Sequence, residues 1–247
     1  VYLMKQMGDT KPVTDLCKNM GIESPIPPSP AICLGAADLK VMEMTGAYST
    51  FANNGVYGQP YVIKRIEDKN GRTVYRALPD EHGALPANAN YVMVDMLKYN
   101  VAGAPGINKL KSEVGGKTGT TNDFTDGWFM GITPRLVVGT WVGGEDRWIR
   151  FLNLNDGQGA RMARPIFAGF IQKLEQDPKS GYDFNARFKR PPGDLGIEIN
   201  CAAYNGEMLP EGGDEEQFSP DIYNDELPPE EGGTKPAGKK KPDDTFG

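Results

Sequence analysis

One histidine in 247 residues excludes the two-histidine zinc chemistry of an H-E-x-x-H helix. That residue, His82, stands in Asp80-Glu81-His82-Gly83, which reads as a solvated loop. A Ser-His-Asp hydrolase would have to recruit it, yet no G-x-S-x-G elbow occurs anywhere in the chain. Three cysteines, Cys17, Cys33 and Cys201, match no metal-ligand spacing and cannot all pair. Cys17 and Cys33 read either as buried free thiols or as one bridge. No apolar run approaches the roughly 20 residues that span a bilayer, and no signal-peptide pattern opens the chain. Neither a metal nor a cofactor is expected.

Apolar residues are also scarce, at 38%, below the usual share for a globular chain. The shortfall lies mostly at the C-terminal end. Residues 206–247 hold 12 acidic against four basic side chains, leaving 23 basic and 21 acidic in the remainder. A body so near neutrality offers no nucleic-acid surface. The stretch 206–247, rich in Pro, Gly, Glu and Asp, buries too little apolar surface to offset ordering entropy and is expected to be a disordered acidic tail. Its Lys239-Lys240-Lys241 cluster reads as solvated.

What the chain does have is a dense motif region at 114–143, VGGKTGTTNDFTDGWFMGITPRLVVGTWVG. It reads as a meander of three strands, broken at Thr121-Asn122-Asp123 and at Thr133-Pro134-Arg135. On the first strand, alternation puts Lys117 and Gly119 on one side and Thr118 and Thr120 on the other. Twist or a bulge near Gly115 and Gly116 would bring Lys117 and Thr118 toward one rim. Glycine at 119 lets a ligand approach the backbone. An edge strand with a cation, hydroxyls and open backbone suits an extended substrate that ends in a carboxylate. A phosphate loop is excluded, because G-x-x-x-x-G-K-[ST] needs glycine at 111, where Lys111 stands. Asp123 and Asp126 read as turn residues rather than as a catalytic pair.

Lys117-Thr118-Gly119 resembles the K-T-G element of the penicilloyl serine transferases. The longer run from Gly115 to Gly143 resembles, more narrowly, the transpeptidase domain of the class A, bifunctional penicillin-binding proteins. Ile32-Cys33-Leu34-Gly35, the segment from Ala47 to Gly55 (AYSTFANNG) and Gly159-Ala160-Arg161-Met162-Ala163-Arg164-Pro165 resemble the same family in the same order, so the likeness covers roughly residues 1–176. The family's S-x-x-K and S-x-N motifs are absent. The residues three after Ser24, Ser29, Ser49, Ser112, Ser180 and Ser219 are Pro27, Ile32, Ala52, Gly115, Asp183 and Ile222, and no serine has asparagine two places on. In the family both motifs precede the region resembling Val1 onward, so the resemblance implies the C-terminal part of a transpeptidase domain without its nucleophile.

The resemblance implies an α+β fold, a helix–sheet–helix sandwich with an antiparallel sheet like that of the serine β-lactamases, incomplete at its N-terminus. It implies that an upstream serine attacks a peptidoglycan stem peptide and that β-lactams trap the same serine. Lys117, Thr118, Gly119 and Thr120 would bind substrate, with the Thr120 backbone N–H as one oxyanion donor. A membrane anchor and a glycosyltransferase domain would lie upstream, with this region on the outer, periplasmic side of the inner membrane. The competing reading is a non-enzymatic module that binds peptidoglycan or a partner protein.

Along the chain, helices are expected at 1–7, 12–20, 38–54, 88–101 and 162–176 from caps and apolar spacing. Prolines 25, 27, 28 and 30 force an extended connection. Asn70-Gly71 marks a surface hairpin over 61–78. Trp128 and Trp141 lie on strands apolar on both faces, which assigns both to a core. The expected organisation is a domain at 1–176, an irregular extension at 177–205 and the tail at 206–247. Since the family's sheet takes further strands from the preceding region, the strand at 136–142 should show one unpaired edge.

Overall fold

The computed structural model describes residues 2–199; Cys201 and the acidic stretch 206–247 lie outside the described residues. Two short helices come first, α1 (Tyr2–Met7) and α2 (Lys11–Asn19), the second with Pro12 in its first turn, where the missing N–H costs nothing. Gly21 stops it in the left-handed region, with φ +83°. The proline-rich connection then tightens into a 3-10 turn, Pro30–Leu34, capped by the Ser29 hydroxyl accepting from the Ala31 N–H. Helix α3 (Val41–Ala52) begins three residues later than its pattern suggested, with Lys40 at the cap.

Next come β1 (Val56–Gly58), the ribbon β2 (Arg65–Glu67) and β3 (Thr73–Arg76), and β4 (Glu81–Gly83). The ribbon is the expected hairpin, exposed along both strands. The pairing of β1 with β4 corrects the reading of His82 as a loop residue. His82 sits opposite Tyr57, its Nε2 2.9 Å from the Asn19 carbonyl oxygen and its Nδ1 3.2 Å from Asp80 Oδ2. Strands of three residues are too short for alternation to register.

Helix α4 (Ala87–Val101) leads into the main sheet, β5 (Gly115–Thr120), β6 (Asp126–Ile132) and β7 (Val137–Gly143), antiparallel in that order. Two helical turns, α5 (Leu154–Gly157) and α6 (Gly159–Met162), precede α7 (Arg164–Gln176). Helices cover both faces. On one side Phe129 of β6 meets Phe167 of α7 with ring centroids 5.1 Å apart, both side chains fully buried. On the other, Ile132 packs with Val94 and Leu97 of α4 and with Tyr48 and Phe51 of α3. Burying side chains of this size contributes roughly 1.5–3 kcal/mol each. Burial also pushes the Tyr48 phenol up to about 12.

One expectation changes, and two others gain detail. Trp141 is 40% exposed, opposite Trp128 at the end of the sheet, and is not core. Cys17 and Cys33 are free; Cys17 is half-buried, its thiol pKa raised by burial, and Cys33 is exposed. Residues 178–199 carry no helix or strand, yet they fold back on the sheet: Tyr182 Oη donates to Thr133 Oγ1 at 3.1 Å and the Phe188 N–H to Glu113 Oε2 at 2.8 Å. Among the described residues β7 pairs only with β6, so its outer edge is open, as is that of β5.

Candidate functional site

Strand β5 is a run of small residues around one long cation, and its neighbours explain why. A Cβ on Gly116 would stand 2.7 Å from the Phe129 ring and 3.0 Å from the Met130 carbonyl oxygen, so only glycine fits there. Gly115 lies against Leu97 of α4. Alternation therefore places Gly115, Lys117 and Gly119 on the α3–α4 face, and Gly116, Thr118 and Thr120 on the α7 face. The split between Lys117 and Thr118 is the one expected, but no bulge unites them. The register runs unshifted from Gly115↔Ile132 to Thr120↔Gly127. Lys117 instead curls over the edge of its own strand, its Nζ donating to the Thr118 carbonyl at 2.8 Å.

Two hydrogen bonds orient the backbone of this edge. The Gly116 carbonyl accepts from Asn100 Nδ2 of α4 at 2.8 Å, and the Thr118 carbonyl accepts from Lys117. A strand residue's N–H and C=O lie on the same edge, and successive residues alternate edges. With Gly116 and Thr118 turned outward, Thr120 is outward too. The Thr120 N–H thus points to the open side of the sheet, beside an exposed ammonium and two hydroxyls. Asn100 covers the first of the three outward residues and Lys117 the carbonyl of the second, which leaves the Thr120 N–H open.

Neighbouring elements fix the far end of the strand. Gly159 at the start of α6 donates its N–H to Thr120 Oγ1 at 3.2 Å. A Cβ on Gly159 would meet the Trp128 and Gly119 carbonyl oxygens at 2.4 and 2.5 Å, so α6 seats on bare backbone. In the turn after β5, Asp123 and Phe124 take left-handed φ values of +61° and +57°, and Asp123 pairs with Arg150 at 3.5 Å. Asp126 accepts from the Thr121 hydroxyl through Oδ1 and from Trp141 Nε1 through Oδ2, the latter at 2.8 Å. Both carboxylate oxygens are engaged, one with the turn and one with β7, so Asp123 stays in the turn while Asp126 opens β6.

Lys117, Thr118, Gly119 and Thr120 thus lie on one edge strand, with the Lys117 and Thr118 side chains on opposite faces. Asn100, Gly159 and the Asp126–Trp141 bond, which support that edge, were not identified from the sequence. Only the glycine of the Gly159–Pro165 motif carried a signal for close approach. Among the described residues no group of three or more His, Cys, Asp or Glu is placed to hold a metal. The site can hold an extended, carboxylate-bearing chain along β5 through charge-assisted hydrogen bonds and an inward-pointing oxyanion to the Thr120 N–H.

Comparison with known proteins shows the family. A family model described as the penicillin binding protein transpeptidase domain matches residues 34–168. The penicillin-binding protein 1A of Aquifex aeolicus (strain VF5) is 32% identical over 190 residues, which cover 76% of this chain and 25% of that protein. Its namesake in Rickettsia conorii is 28% identical over 239 residues, covering 86% and 29%. The chain thus spans about a quarter of the length of these relatives. Among solved structures, the PonA1 protein of Mycobacterium tuberculosis in complex with penicillin V shares the fold at a TM-score of 0.63 and 23% identity, over 75% of this chain and 54% of that one.

Proposed function

The chain belongs to the penicillin-binding protein transpeptidase family, and from that premise we propose that it supplies the substrate-anchoring strand of a class A peptidoglycan D,D-transpeptidase. The observation that carries this reading is the open edge of β5, where the Lys117 ammonium curls beside the outward Thr120 N–H. Lys117 and Thr118 hold the terminal carboxylate of the stem peptide, and Gly119 admits its backbone. The serine of an S-x-x-K motif, which this sequence does not contain, attacks the penultimate D-Ala carbonyl. The Thr120 N–H and the serine's own N–H receive the developing oxyanion, each such donor typically worth ~3 kcal/mol of barrier. Collapse expels D-Ala as the amine and leaves an acyl-serine. An amine of a neighbouring stem then takes the acyl group, and a β-lactam stops the cycle at the acyl stage. In the whole protein a glycosyltransferase domain and a membrane anchor accompany the transpeptidase, which works on the periplasmic side of the inner membrane.

Labelling with a fluorescent penicillin tests the proposal, using this chain and a form extended upstream through S-x-x-K and S-x-N. Labelling of the extended form alone is expected. Labelling of this chain would reveal a different nucleophile, and labelling of neither would leave a binding module.

A further inference from the structure

The ribbon β2–β3 takes no part in the site on β5, and its composition is unlike that of a solvated hairpin. Residues 61–78 carry five basic against two acidic side chains, in a chain of net charge −6. Val62 and Leu78 are each 88% exposed, and Ile66, Val74 and Tyr75 are all exposed as well. Register places Arg65 directly opposite Arg76, and like charges so placed destabilise a ribbon. The acidic residues relieve this on one side only. Glu67 pairs with Arg65 at 3.0 Å, while Asp68 accepts from the Asn70 and Arg72 backbone N–H groups within the turn. No carboxylate among the described residues forms an ion pair with Arg76 or Lys64. As a two-stranded sheet, the ribbon also leaves an outer edge open on each strand.

We propose that this ribbon docks an extended, acidic segment of a partner protein, added as a third strand. The partner's carboxylates lie against the Arg65–Arg76 pair, and its alternate apolar side chains lie on Ile66 and Tyr75, which share a face. The apolar residues fit a strand better than a lipid surface, which would require them on one face. Ile66 and Tyr75 lie on one face of the ribbon, but Val74 lies on the other. Open backbone edges are likewise met by a peptide and not by headgroups.

The test uses fluorescence anisotropy of the full chain with a labelled peptide of four Glu-Val repeats, alongside a Lys-Val peptide and phosphatidylglycerol vesicles. The wild type is expected to bind the Glu-Val peptide alone and to gain amide-exchange protection at 65–67 or 73–76. The double variant Arg65→Glu/Arg76→Glu should weaken binding by roughly tenfold or more. Ile66→Ser/Tyr75→Ser should weaken it without changing the circular dichroism, since all four side chains are exposed. The proposal is overturned by absence of binding at about millimolar peptide, by equal binding of the Lys-Val peptide, or by indifference to both variants. Vesicle binding through the arginines in preference to the peptide would overturn it in favour of a membrane surface.

Discussion

Replacing Gly159 by alanine should destabilise the chain and disturb the site in one step. The new methyl would stand 2.4 Å from the Trp128 carbonyl oxygen and 2.5 Å from that of Gly119. Real contacts of this kind begin at 3.0–3.4 Å, so α6 must retreat by roughly 0.6–1 Å. Neither obstacle can swing away, because both belong to the backbone of paired strands. The retreat also stretches the Gly159 N–H bond to Thr120 Oγ1 from its present 3.2 Å. Overpacking costs about 1–3 kcal/mol, and the weakened hydrogen bond about 0.5–1.5 kcal/mol. The ordinary gain from alanine in a helix offsets only about 0.5–1 kcal/mol. The net loss, ~0.5–4 kcal/mol, is over most of that range large enough to read from urea unfolding followed by circular dichroism. Gly169→Ala in α7 is the control, because a Cβ there meets nothing within 4 Å. It should stabilise by about 0.4–1 kcal/mol. The same chemical change is thus expected to act with opposite sign at the two positions. Neutral behaviour of Gly159→Ala, or equal losses at both glycines, would refute the argument.

Other perturbations separate the site's parts. Asn100→Ala leaves the Gly116 carbonyl without its partner and should cost about 1–3 kcal/mol in urea unfolding; a loss below the error of the fit would show that the edge does not depend on α4. Lys117→Ala, made in the extended form, should slow penicillin acylation by roughly ten- to a hundredfold, the equivalent of a charged hydrogen bond, with the melting temperature unchanged. An unchanged rate would remove Lys117 from the site. Lys98 gives a pH test. Burial pulls its pKa down, but Glu113, 2.5 Å away, and Asp95 outweigh this and leave it raised. A raised folded-state value favours folding while lysine is protonated in both states. The stability gap between wild type and Lys98→Met should therefore be constant from pH 6 to about 9 and shrink above about 10.4 as the pH passes the unfolded and then the folded value. A gap that widened with pH would reverse the assignment.

The parts legible in the sequence are those fixed by local chemistry. Thr121-Asn122-Asp123 and Thr133-Pro134-Arg135 divided the meander correctly because turn residues act on their own backbone. Asn70-Gly71 located the ribbon, and apolar spacing located α4 and α7 within one or two residues. The alternation of Lys117 and Thr118 followed from the strand period alone. The misses are contacts across the chain. Asn100 meets Gly116 from 16 residues away and Gly159 meets Thr120 from 39, distances over which periodicity carries no information. The apolar character of its strand assigns Trp141 to the core, but the sheet ends there, and its indole N–H donates to Asp126. The pairing of β1 with β4, which lifts His82 out of a loop, joins strands of three residues and leaves no pattern to read.

The support of β5 bears on how an open strand can exist at all. An exposed edge is a template for pairing with other chains, and a sheet that must keep one open for a substrate carries that hazard. Here the Asn100 amide occupies the Gly116 carbonyl, and Lys117 lies across the Thr118 carbonyl. An inward-curled lysine on an edge is one of the devices that discourage strand addition. On the proposed function a substrate carboxylate draws that ammonium away, which a neutral strand cannot do, so the lysine proposed to anchor the ligand also guards the edge. On this argument Lys117→Ala removes both functions, and the variant chain should self-associate more readily than the wild type at equal concentration, as read by light scattering. Lys117→Arg, which keeps the charge on a long side chain, should restore the monomer before it restores acylation.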